Sequence, residues 1–315
     1  MQVIGKALGF DPVGEAIAAE RSGYDGVRVV DHFFSGLAPE LPHPVSHALA
    51  GLGAAAATTS RVLLTQTMLA ATMRHPAECA QAVATIDRIS AGRAGLGLGT
   101  GWFRPEHAAM GLALGSPRDR VDRVVEAASI SRAMFEQQGV VRFEGRFFRA
   151  VTDVQWHPTP HVPEVMVGAA SPRLIRLAAA VANRVDFLEI MRDGRAVLDE
   201  DHVNDVEHVR KRVELAHHAA AEAGSEVRLS ATLNVTLAAS VAERERLRSE
   251  YAPVAWSSPV LLDGELLRAI DTADGLLERL AALADLGIDR VHIRPKDAAT
   301  RDWLDDALPR IQALA

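Results

Sequence analysis

Short runs of β-branched and other apolar residues alternate along this chain with longer stretches that have the spacing of amphipathic helices. The runs are QVIGKA, GVRVV, RVLLTQT, AGLGLG, EVMVGA, VDFLEI, RLSATLNVTL and DRVHIR. In the intervening stretch SPRLIRLAAAVAN, apolar residues recur at i, i+3, i+4 and i+7, namely Leu174, Leu177, Ala178 and Val181. Alternation of this kind predicts parallel strands joined by crossover helices.

Eight such strands, spread over most of the chain, fit a (β/α)8 TIM barrel. We therefore predict one barrel domain over residues 1–315 with insertion loops. A doubly wound sheet is the competing architecture, but it requires a GxGxxG fingerprint after the first strand, and KALGFDPVGEA has none.

Two segments interrupt the alternation of strands and helices. VVRFEGRFFRA predicts a β-hairpin that turns at Glu144-Gly145, and residues 250–270 are long enough to form either a lid or a surface excursion.

The composition argues against several partners and compartments. The formal net charge of −7 argues against a dedicated nucleic-acid binder, which needs clustered basic residues. Cys79 is the one cysteine, so the chain cannot form an internal disulfide, and a reducing cytoplasm is the natural compartment. The N-terminal MQVIGKALGFDPVGE lacks the pattern of a signal peptide, and no apolar run approaches the roughly 20 residues of a membrane helix. We expect a cytoplasmic protein without nucleic-acid or membrane partners.

The stretch GRAGLGLGTGW, Gly92 to Trp102, contains five glycines. A dinucleotide fingerprint needs glycine at offsets 0, 2 and 5; counted from Gly97 the third position is Trp102, and counted from Gly95 it is Thr100. We interpret the stretch as the fourth strand running into a loop at the C-terminal face, where barrels carry out their chemistry. Gly99 and Gly101 would allow a flat ring to lie against bare backbone. A strand that needs small residues for its packing would give the same pattern.

Polar residues follow two other strands directly. Asp31 and His32 end the second strand in VVDHFF, with no local structural partner evident. An imidazole at a barrel mouth can donate or accept a proton, although a structural histidine is the alternative. Arg74 and His75 follow the third strand and precede Pro76, a position that suits a helix start, so we interpret them as structural.

The loop after the fifth strand, VGAASPRL, is the candidate phosphate site. Ser171 is a favourable N-cap, Pro172 fits the first helical position, and Gly168 to Ser171 would present free N–H groups to an anion, with Arg173 adding charge. Barrel phosphates usually bind after strands seven and eight, but those strands end here in NVTLAAS and IRPKDAA, without glycine. An ordinary capped helix remains the alternative.

The sequence lacks the motifs of several other kinds of enzyme and of common metal sites. The sequence contains no HExxH, no cysteine pair with zinc-ligand spacing, no Gly-x-Ser-x-Gly elbow and no P-loop. Two histidine pairs have a spacing of four residues, but prolines crowd both of them: His43 with His47, and His157 with His161. We expect no metal site.

Three stretches together resemble the luciferase-like monooxygenase superfamily: GYDGVRVVDHFF, MRHPAECAQAVATIDRISAGRAGLGLGTGWFRPEHAAMGL and VMVGAASPRLIRLAA. The specific elements are Arg-His-Pro, then Ile-Asp-x-Ile-Ser-x-Gly-Arg, then Gly-x-Gly-x-Gly-Trp. The resemblance covers roughly residues 2–190, and within the superfamily the chain is most similar to the coenzyme F420-dependent oxidoreductases.

The resemblance implies a barrel with the cofactor ring at its C-terminal face. It implies a non-prolyl cis peptide at Thr67-Met68, behind the ring, and it matches Asp31 and His32 to a ring-contacting and proton-handling pair. The candidate catalytic residues are His32 and Trp102, which match the family's positions, and Glu106, which lies four residues after Trp102. The implied cofactor-binding residues are Asp31, Thr67, Met68, Gly99, Thr100, Gly101, Gly168, Ala169, Ala170, Ser171 and Arg173.

The resemblance leads to three hypotheses. The first is an oxidoreductase that moves a hydride between F420 and a small organic substrate. The second is a two-component monooxygenase that uses reduced FMN, and the third is a non-catalytic flavin-binding protein. Relatives that oxidise sugar phosphates carry a glutamate directly after the strand-four Gly-x-Gly, a position occupied here by Trp102, which argues against that substrate. The family often forms dimers, so a homodimer is expected.

Overall fold

The structure is a computed structural model that describes residues 1–8, 11–35, 43–136, 140–152, 161–188, 191–192, 195–196, 206–251, 269–295 and 297–314. Its strands are β1 (Gln2–Leu8), β2 (Gly26–Val29), β3 (Phe34–Ser35), β4 (His43–Pro44), β5 (Leu63–Gln66), β6 (Leu69–Ala70), β7 (Gly95–Gly99), β8 (Val141–Glu144), β9 (Arg149–Thr152), β10 (Glu164–Ala169), β11 (Arg184–Phe187), β12 (Met191–Arg192), β13 (Arg195–Ala196), β14 (Arg228–Leu237), β15 (Ala269–Asp271) and β16 (Ile288–Pro295). Its helices are α1 (Pro12–Ser22), α2 (Ala48–Thr58), α3 (Pro76–Ser90), α4 (Arg104–Ala109), α5 (Pro117–Glu136), α6 (Pro172–Val181), α7 (Val206–Glu222), α8 (Val241–Tyr251), α9 (Ala273–Asp285) and α10 (Ala298–Gln312).

The eight predicted strands form one parallel sheet in the order β5-β2-β1-β16-β14-β11-β10-β7-β6, with β15 paired to β14. The third barrel strand is divided into β5 and β6. Its first part pairs with β2, and its second part pairs with β7. Leu64 also bridges to Ala94 at the start of the β7 segment, so this strand has neighbours on both sides and the sheet closes. The predicted TIM barrel is confirmed.

Several of the longer helices cover the outside of the sheet by burying an apolar stripe. In α9 the buried side chains are Leu276, Leu280 and Leu283, the spacing expected from the sequence. Gly287 follows this helix with φ of 84°, a left-handed conformation that glycine adopts at no steric cost. No helix in the described ranges combines the length and apolarity that crossing a bilayer requires.

The N-terminal end of the barrel is closed by an ion network. Glu164, at the start of β10, lies 3.1 Å from Arg184, 2.6 Å from Arg228 and 2.5 Å from Arg290. Arg184 also pairs with Asp289. Burial raises the pKa of Glu164, but the surrounding arginine charges outweigh that effect and lower it overall. The buried charges at this end of the barrel are thus balanced by several ion pairs between strands.

The hairpin after α5 is confirmed, with β8 and β9 antiparallel and Glu144 opposite Arg149. Its turn lies just beyond Glu144, and the Gly145 N–H donates to the Phe148 carbonyl at 2.9 Å. Residues 250–270, for which we expect either a lid or a surface excursion, lie almost entirely outside the described residues.

Candidate active site

The second barrel strand delivers Asp31 and His32 to the C-terminal end of the barrel, and their side chains have different surroundings. The Asp31 carboxylate is buried and accepts hydrogen bonds from the Ala70 N–H at 2.9 Å and from Arg74 at 2.6 Å. The expectation that Asp31 has no structural partner is therefore wrong, because this carboxylate ties the second strand to the end of the third. The structural interpretation of Arg74 agrees with this contact.

His32 is held by a glutamate that follows the fourth strand. His32 Nδ1 lies 2.9 Å from Glu106 Oε2, and the other carboxylate oxygen of Glu106 accepts the backbone N–H of Phe33. The Glu106 side chain is fully buried, whereas that of His32 retains 26% exposure. Burial raises the pKa of Glu106, but the bond and charge of His32 and the N–H groups of Phe33 and Phe34 lower it overall. A charged carboxylate therefore fixes the histidine ring.

Glu106 lies on a short helix that sequence reasoning missed. In the sequence, Pro105 indicates an interruption after the glycine-rich strand, and the next clear helical pattern begins near Ser116-Pro117. The structure has α5 beginning at Pro117, but α4 begins earlier, at Arg104. Proline is compatible with the first turn of a helix, where its missing N–H has no helical partner. The resulting turn directs Glu106 inward, toward His32.

Aromatic side chains surround the exposed part of His32. The Trp102 ring lies 5.8 Å from the His32 ring, edge-on at 82°, and the Phe103 ring lies 6.2 Å from it at 80°. Trp102 and Phe103 also contact one another, with ring centroids 5.2 Å apart. Phe33, the residue after His32, is 42% exposed. These rings give the histidine an apolar setting that suits a nonpolar part of a small molecule.

The glycines of β7 have packing reasons of their own. A Cβ at Gly97 would lie 2.0 Å from the Gln66 carbonyl oxygen, and one at Gly99 would lie 2.8 Å from Met68 Cβ. Gly101 has φ of 70°, and its carbonyl accepts from Arg120 at 2.6 Å. Close strand packing therefore explains Gly97 and Gly99. A ring contact by Gly99, Thr100 and Gly101 stays a prediction.

The peptide between Thr67 and Met68 is cis, as the resemblance implied. The Met68 side chain lies between two glycines of neighbouring strands, because an added Cβ at Gly99 or Gly168 would meet it at 2.8 or 2.9 Å. The glycines of β7 and β10 thus leave room for Met68 at the barrel mouth. Contacts of Thr67 and Met68 with a cofactor remain predicted.

The loop after β10 has the geometry expected of an anion-binding helix start. Ser171 caps α6 by accepting the Leu174 N–H at 3.3 Å, and Pro172 is the first helical residue, as predicted. Arg173, expected to add charge there, instead pairs with Asp122. The structure thus confirms the cap and directs the Arg173 guanidinium to a neighbouring helix.

Arg212 is a residue that sequence reasoning missed. It reaches from α7 to the loop and donates to the carbonyls of Ala169 at 2.8 Å, Ala170 at 3.3 Å and Leu188 at 2.9 Å. By binding the carbonyl side of the loop, Arg212 fixes the backbone that carries the N–H groups. An arginine within the polar helix VRKRVELA gives no sequence signal for this role.

In the described ranges, no group of three or more histidine, cysteine, aspartate or glutamate side chains is arranged to hold a metal ion. Of the histidine pairs considered from sequence, His157 lies outside the described residues. His47 caps α2 by accepting the Ala50 N–H at 3.4 Å.

The barrel and the arrangement of strand-end residues place the chain in a known class. It matches the model of the luciferase-like monooxygenase family over residues 12–308 and belongs to that family. Among curated proteins, it is similar to an F420-dependent glucose-6-phosphate dehydrogenase from Nakamurella multipartita, with 36% identity over 173 residues, which are 53% of this chain and 49% of that protein. The chain therefore spans about half the length of the curated relatives it matches.

Solved structures confirm the fold over nearly the whole chain. One is an F420-dependent secondary alcohol dehydrogenase in complex with an F420-acetone adduct, with a TM-score of 0.76 and 20% identity over 98% of both chains. Another is the EDTA monooxygenase EmoA from Chelativorans sp. BNC1, with a TM-score of 0.73 and 16% identity over 99% of this chain and 93% of that one. The same barrel thus serves two kinds of enzyme.

Proposed function

We propose that this protein is an F420-dependent oxidoreductase that transfers a hydride between the deazaflavin and a small organic substrate. The observation that carries the proposal is the pair His32–Glu106 at the barrel mouth. His32 Nδ1 lies 2.9 Å from Glu106 Oε2, and the Trp102 ring borders the His32 ring. A proton-handling group in a partly apolar setting is what reduction of a carbonyl or oxidation of an alcohol requires. The similarity to F420-dependent dehydrogenases over half of their length supports this choice of cofactor.

The chain's own residues fit such a cofactor. The loop Gly168–Ser171 precedes a helix of 10 residues, whose N-terminal N–H groups suit a phosphate. Met68 packs against Gly99 and Gly168 of two neighbouring strands at the mouth, where it would support one face of a planar ring. We propose Asp31, Thr67, Met68, Gly99–Gly101 and Gly168–Ser171 as the cofactor-binding residues.

His32 would hold or move the proton. When bound, F420 supplies hydride exchange at its C5 atom. Because Nδ1 is bound by Glu106, the other ring nitrogen, Nε2, would exchange the proton with a substrate oxygen. Trp102 would wall the substrate region and exclude water, which strengthens electrostatic interactions there. Glu106 acts through His32, so we assign it a positioning role rather than direct contact with the substrate.

A monooxygenase that uses reduced FMN is the second candidate. It is favoured by the EDTA monooxygenase structure, which shares the barrel at a TM-score of 0.73. A non-catalytic flavin-binding protein is a third possibility, and it would be favoured if His32 and Trp102 were enclosed. The 26% exposure of the His32 side chain argues for an enzyme instead.

Equilibrium titration with each cofactor tests the proposal. The purified protein is titrated with oxidised F420 and, separately, with FMN, following the absorbance or fluorescence of the cofactor. We expect tighter binding of F420. A clear preference for FMN, together with oxygen consumption when reduced FMN is supplied, would replace the proposal with the monooxygenase.

We propose a homodimer, supported by the apolar-rich helices α2 and α3 beside the second and third barrel strands. A cytoplasmic location is supported by the single cysteine, Cys79, which cannot form a disulfide within the chain. Size-exclusion chromatography with light scattering measures the assembly, and a monomeric mass at micromolar concentration would contradict the dimer.

A further inference from the structure

A second histidine, His107, is buried directly beside Glu106 on α4, and both of its ring nitrogens are bound. His107 is 1% exposed. Its Nδ1 lies 2.9 Å from the Phe103 carbonyl oxygen, and its Nε2 lies 2.8 Å from Thr72 Oγ1. Because a carbonyl oxygen can only accept, Nδ1 carries a proton and donates it. In the neutral ring Nε2 is then an acceptor, and the Thr72 hydroxyl donates to it.

The bond between Thr72 and His107 joins α4 to the turn that follows the third barrel strand. Thr72 lies in that turn, residues 70–74, two residues after the end of β6. The turn is itself held at the end of the fourth strand, because the Ala71 N–H donates to the Gly99 carbonyl at 2.9 Å. The α4 helix spans 6 residues, and a helix of that length is not stable by itself. Tertiary contacts such as this bond therefore determine where α4 lies.

Gly101, in the loop before α4, passes close to the same bond. A Cβ at Gly101 would lie 2.5 Å from Thr72 Oγ1 and 3.6 Å from His107 Cε1. Any larger residue at this position would displace the hydroxyl group or the imidazole. The loop that leads from the fourth strand to Trp102 is thus shaped so that the hydrogen bond between Thr72 and His107 has room to form.

The contacts connect two pairs of adjacent residues in a closed circuit. His32 contacts Glu106 directly. Their neighbours in the chain, Asp31 and His107, both bind the turn 70–74. The turn is therefore a spacer of fixed size between the ends of the second and fourth strands. A shift of α4 relative to this turn would change the distance between Glu106 and His32.

We propose that Thr72 and His107 are positioning residues, whose hydrogen bond holds α4 so that Glu106 reaches the His32 ring. Their effect on the reaction passes through Glu106, without contact of their own with the substrate. The kinetic part of the proposal rests on the proposed function, whereas the structural part is independent of it. One hydrogen bond contributes only modestly to stability, so its removal should disturb the site more than the fold.

Amide hydrogen exchange tests the structural part in cofactor-free protein. The reporter is the Phe33 N–H, which donates to Glu106. Thr72→Val keeps the shape of the side chain but removes the hydroxyl group. We expect the Phe33 amide to exchange about 3- to 10-fold faster in Thr72→Val, the effect of one lost hydrogen bond, and at the wild-type rate in Thr72→Ser. Equal acceleration of amides throughout the barrel would indicate a general loss of stability and would overturn the proposal.

Turnover with F420 gives the second readout. Thr72→Val should lower kcat about 3- to 10-fold with little change in KM, and Thr72→Ser should restore it. In the Glu106→Gln background the same substitution should cost no further turnover, because Thr72 acts through Glu106. Thr85→Val is the matched control, since it removes an exposed hydroxyl group that donates to the Gln81 carbonyl within α3. It should leave both the Phe33 exchange rate and kcat unchanged.

Two results would refute the positioning role of Thr72. One is an unchanged Phe33 exchange rate in a folded Thr72→Val protein. The other is a loss of kcat that adds to that of Glu106→Gln, because it would show a role separate from Glu106. If Thr72→Val fails to fold, Thr72→Ala decides by the same measurements. If the protein shows no turnover with F420, the proposed function fails, and the exchange rate of Phe33 alone decides the positioning role.

Discussion

Nδ1 of His32 lies 2.9 Å from the carboxylate of Glu106, although 74 residues separate them in the chain. The same carboxylate binds the Phe33 N–H, so one buried glutamate fixes both the ring and the backbone that carries it.

Replacing His32 with Ala is expected to lower turnover by about 10²- to 10⁴-fold, the usual contribution of a positioned acid or base. This is about 3 to 5 kcal/mol of barrier, at roughly 1.36 kcal/mol per tenfold. F420 affinity should fall much less, because the proposed cofactor contacts lie mainly on other strands. His75→Ala is the control, since His75 caps α3 and should affect stability rather than turnover. Near-normal turnover in His32→Ala would make this histidine structural.

Replacing Glu106 with Gln preserves the shape of the side chain but removes its charge. If Glu106 acts by orienting His32, turnover should fall by about 5- to 30-fold, a coupling of about 1 to 2 kcal/mol. The double variant with His32→Ala should then be no slower than His32→Ala alone. Additive losses would instead mean that Glu106 acts on the substrate directly.

The same variant has an expected pH signature. Because the folded protein lowers the pKa of Glu106 below its ordinary 4.5, the stabilisation it provides is present above that value and is lost as the pH falls through the folded pKa. The difference in unfolding free energy between wild type and Glu106→Gln should therefore be constant from about pH 7 to pH 5 and shrink below that range. Urea unfolding at each pH measures it, and a difference that grows on acidification would contradict the assignment.

The sequence predicted the barrel strands and the Ser171 cap because these follow from local patterns. It did not predict the Glu106–His32 contact, since Pro105 obscured α4 and no local pattern relates two distant loops. Arg28 was equally hidden. A single arginine in GVRVV is usually interpreted as pointing to solvent, and only barrel closure places it inside, against Thr67.

Replacing Gly168 with Val should weaken F420 binding at least tenfold, because the added carbon atoms push Met68 toward the mouth. A Cβ there would lie 2.7 Å from Leu188 and 2.9 Å from Met68, at flexible side chains, so the fold should persist. Gly53→Val is the control, because nothing lies within 4 Å of a Cβ at Gly53. Unchanged F420 affinity in a folded Gly168→Val protein would place the cofactor elsewhere, with Arg294 and Lys296, the latter outside the described residues, as the next candidates.

Two glycines of one strand should respond differently to alanine. At Gly97 the new methyl group would lie 2.0 Å from the Gln66 carbonyl oxygen, whereas at Gly95 the nearest atom is 3.4 Å away. Gly97→Ala should cost about 1 to 3 kcal/mol or more of stability, as overpacking does, and Gly95→Ala much less. Chemical denaturation of both variants measures the difference, and equal costs would contradict the packing explanation.

Replacing Glu164 with Gln should cost about 3 to 5 kcal/mol of stability, because it removes the carboxylate that pairs with the buried Arg290 and leaves Arg184 with Asp289 alone. Turnover per folded molecule should stay unchanged, since Glu164 lies at the end of the barrel opposite to His32. Comparing the melting temperature with the kinetic constants separates the two effects. A marked change in the Michaelis constant would connect this end to the substrate.

The ion network at Glu164 has a consequence for how such a barrel can diversify. The network anchors the starts of four strands, β10, β11, β14 and β16, through side chains that never approach the mouth. Loops at the opposite end can therefore be exchanged, lengthened or redesigned while the barrel strands stay aligned. For a protein engineer, this makes the chain a scaffold in which substrate specificity can be changed at the C-terminal end of the barrel while the N-terminal end preserves the fold.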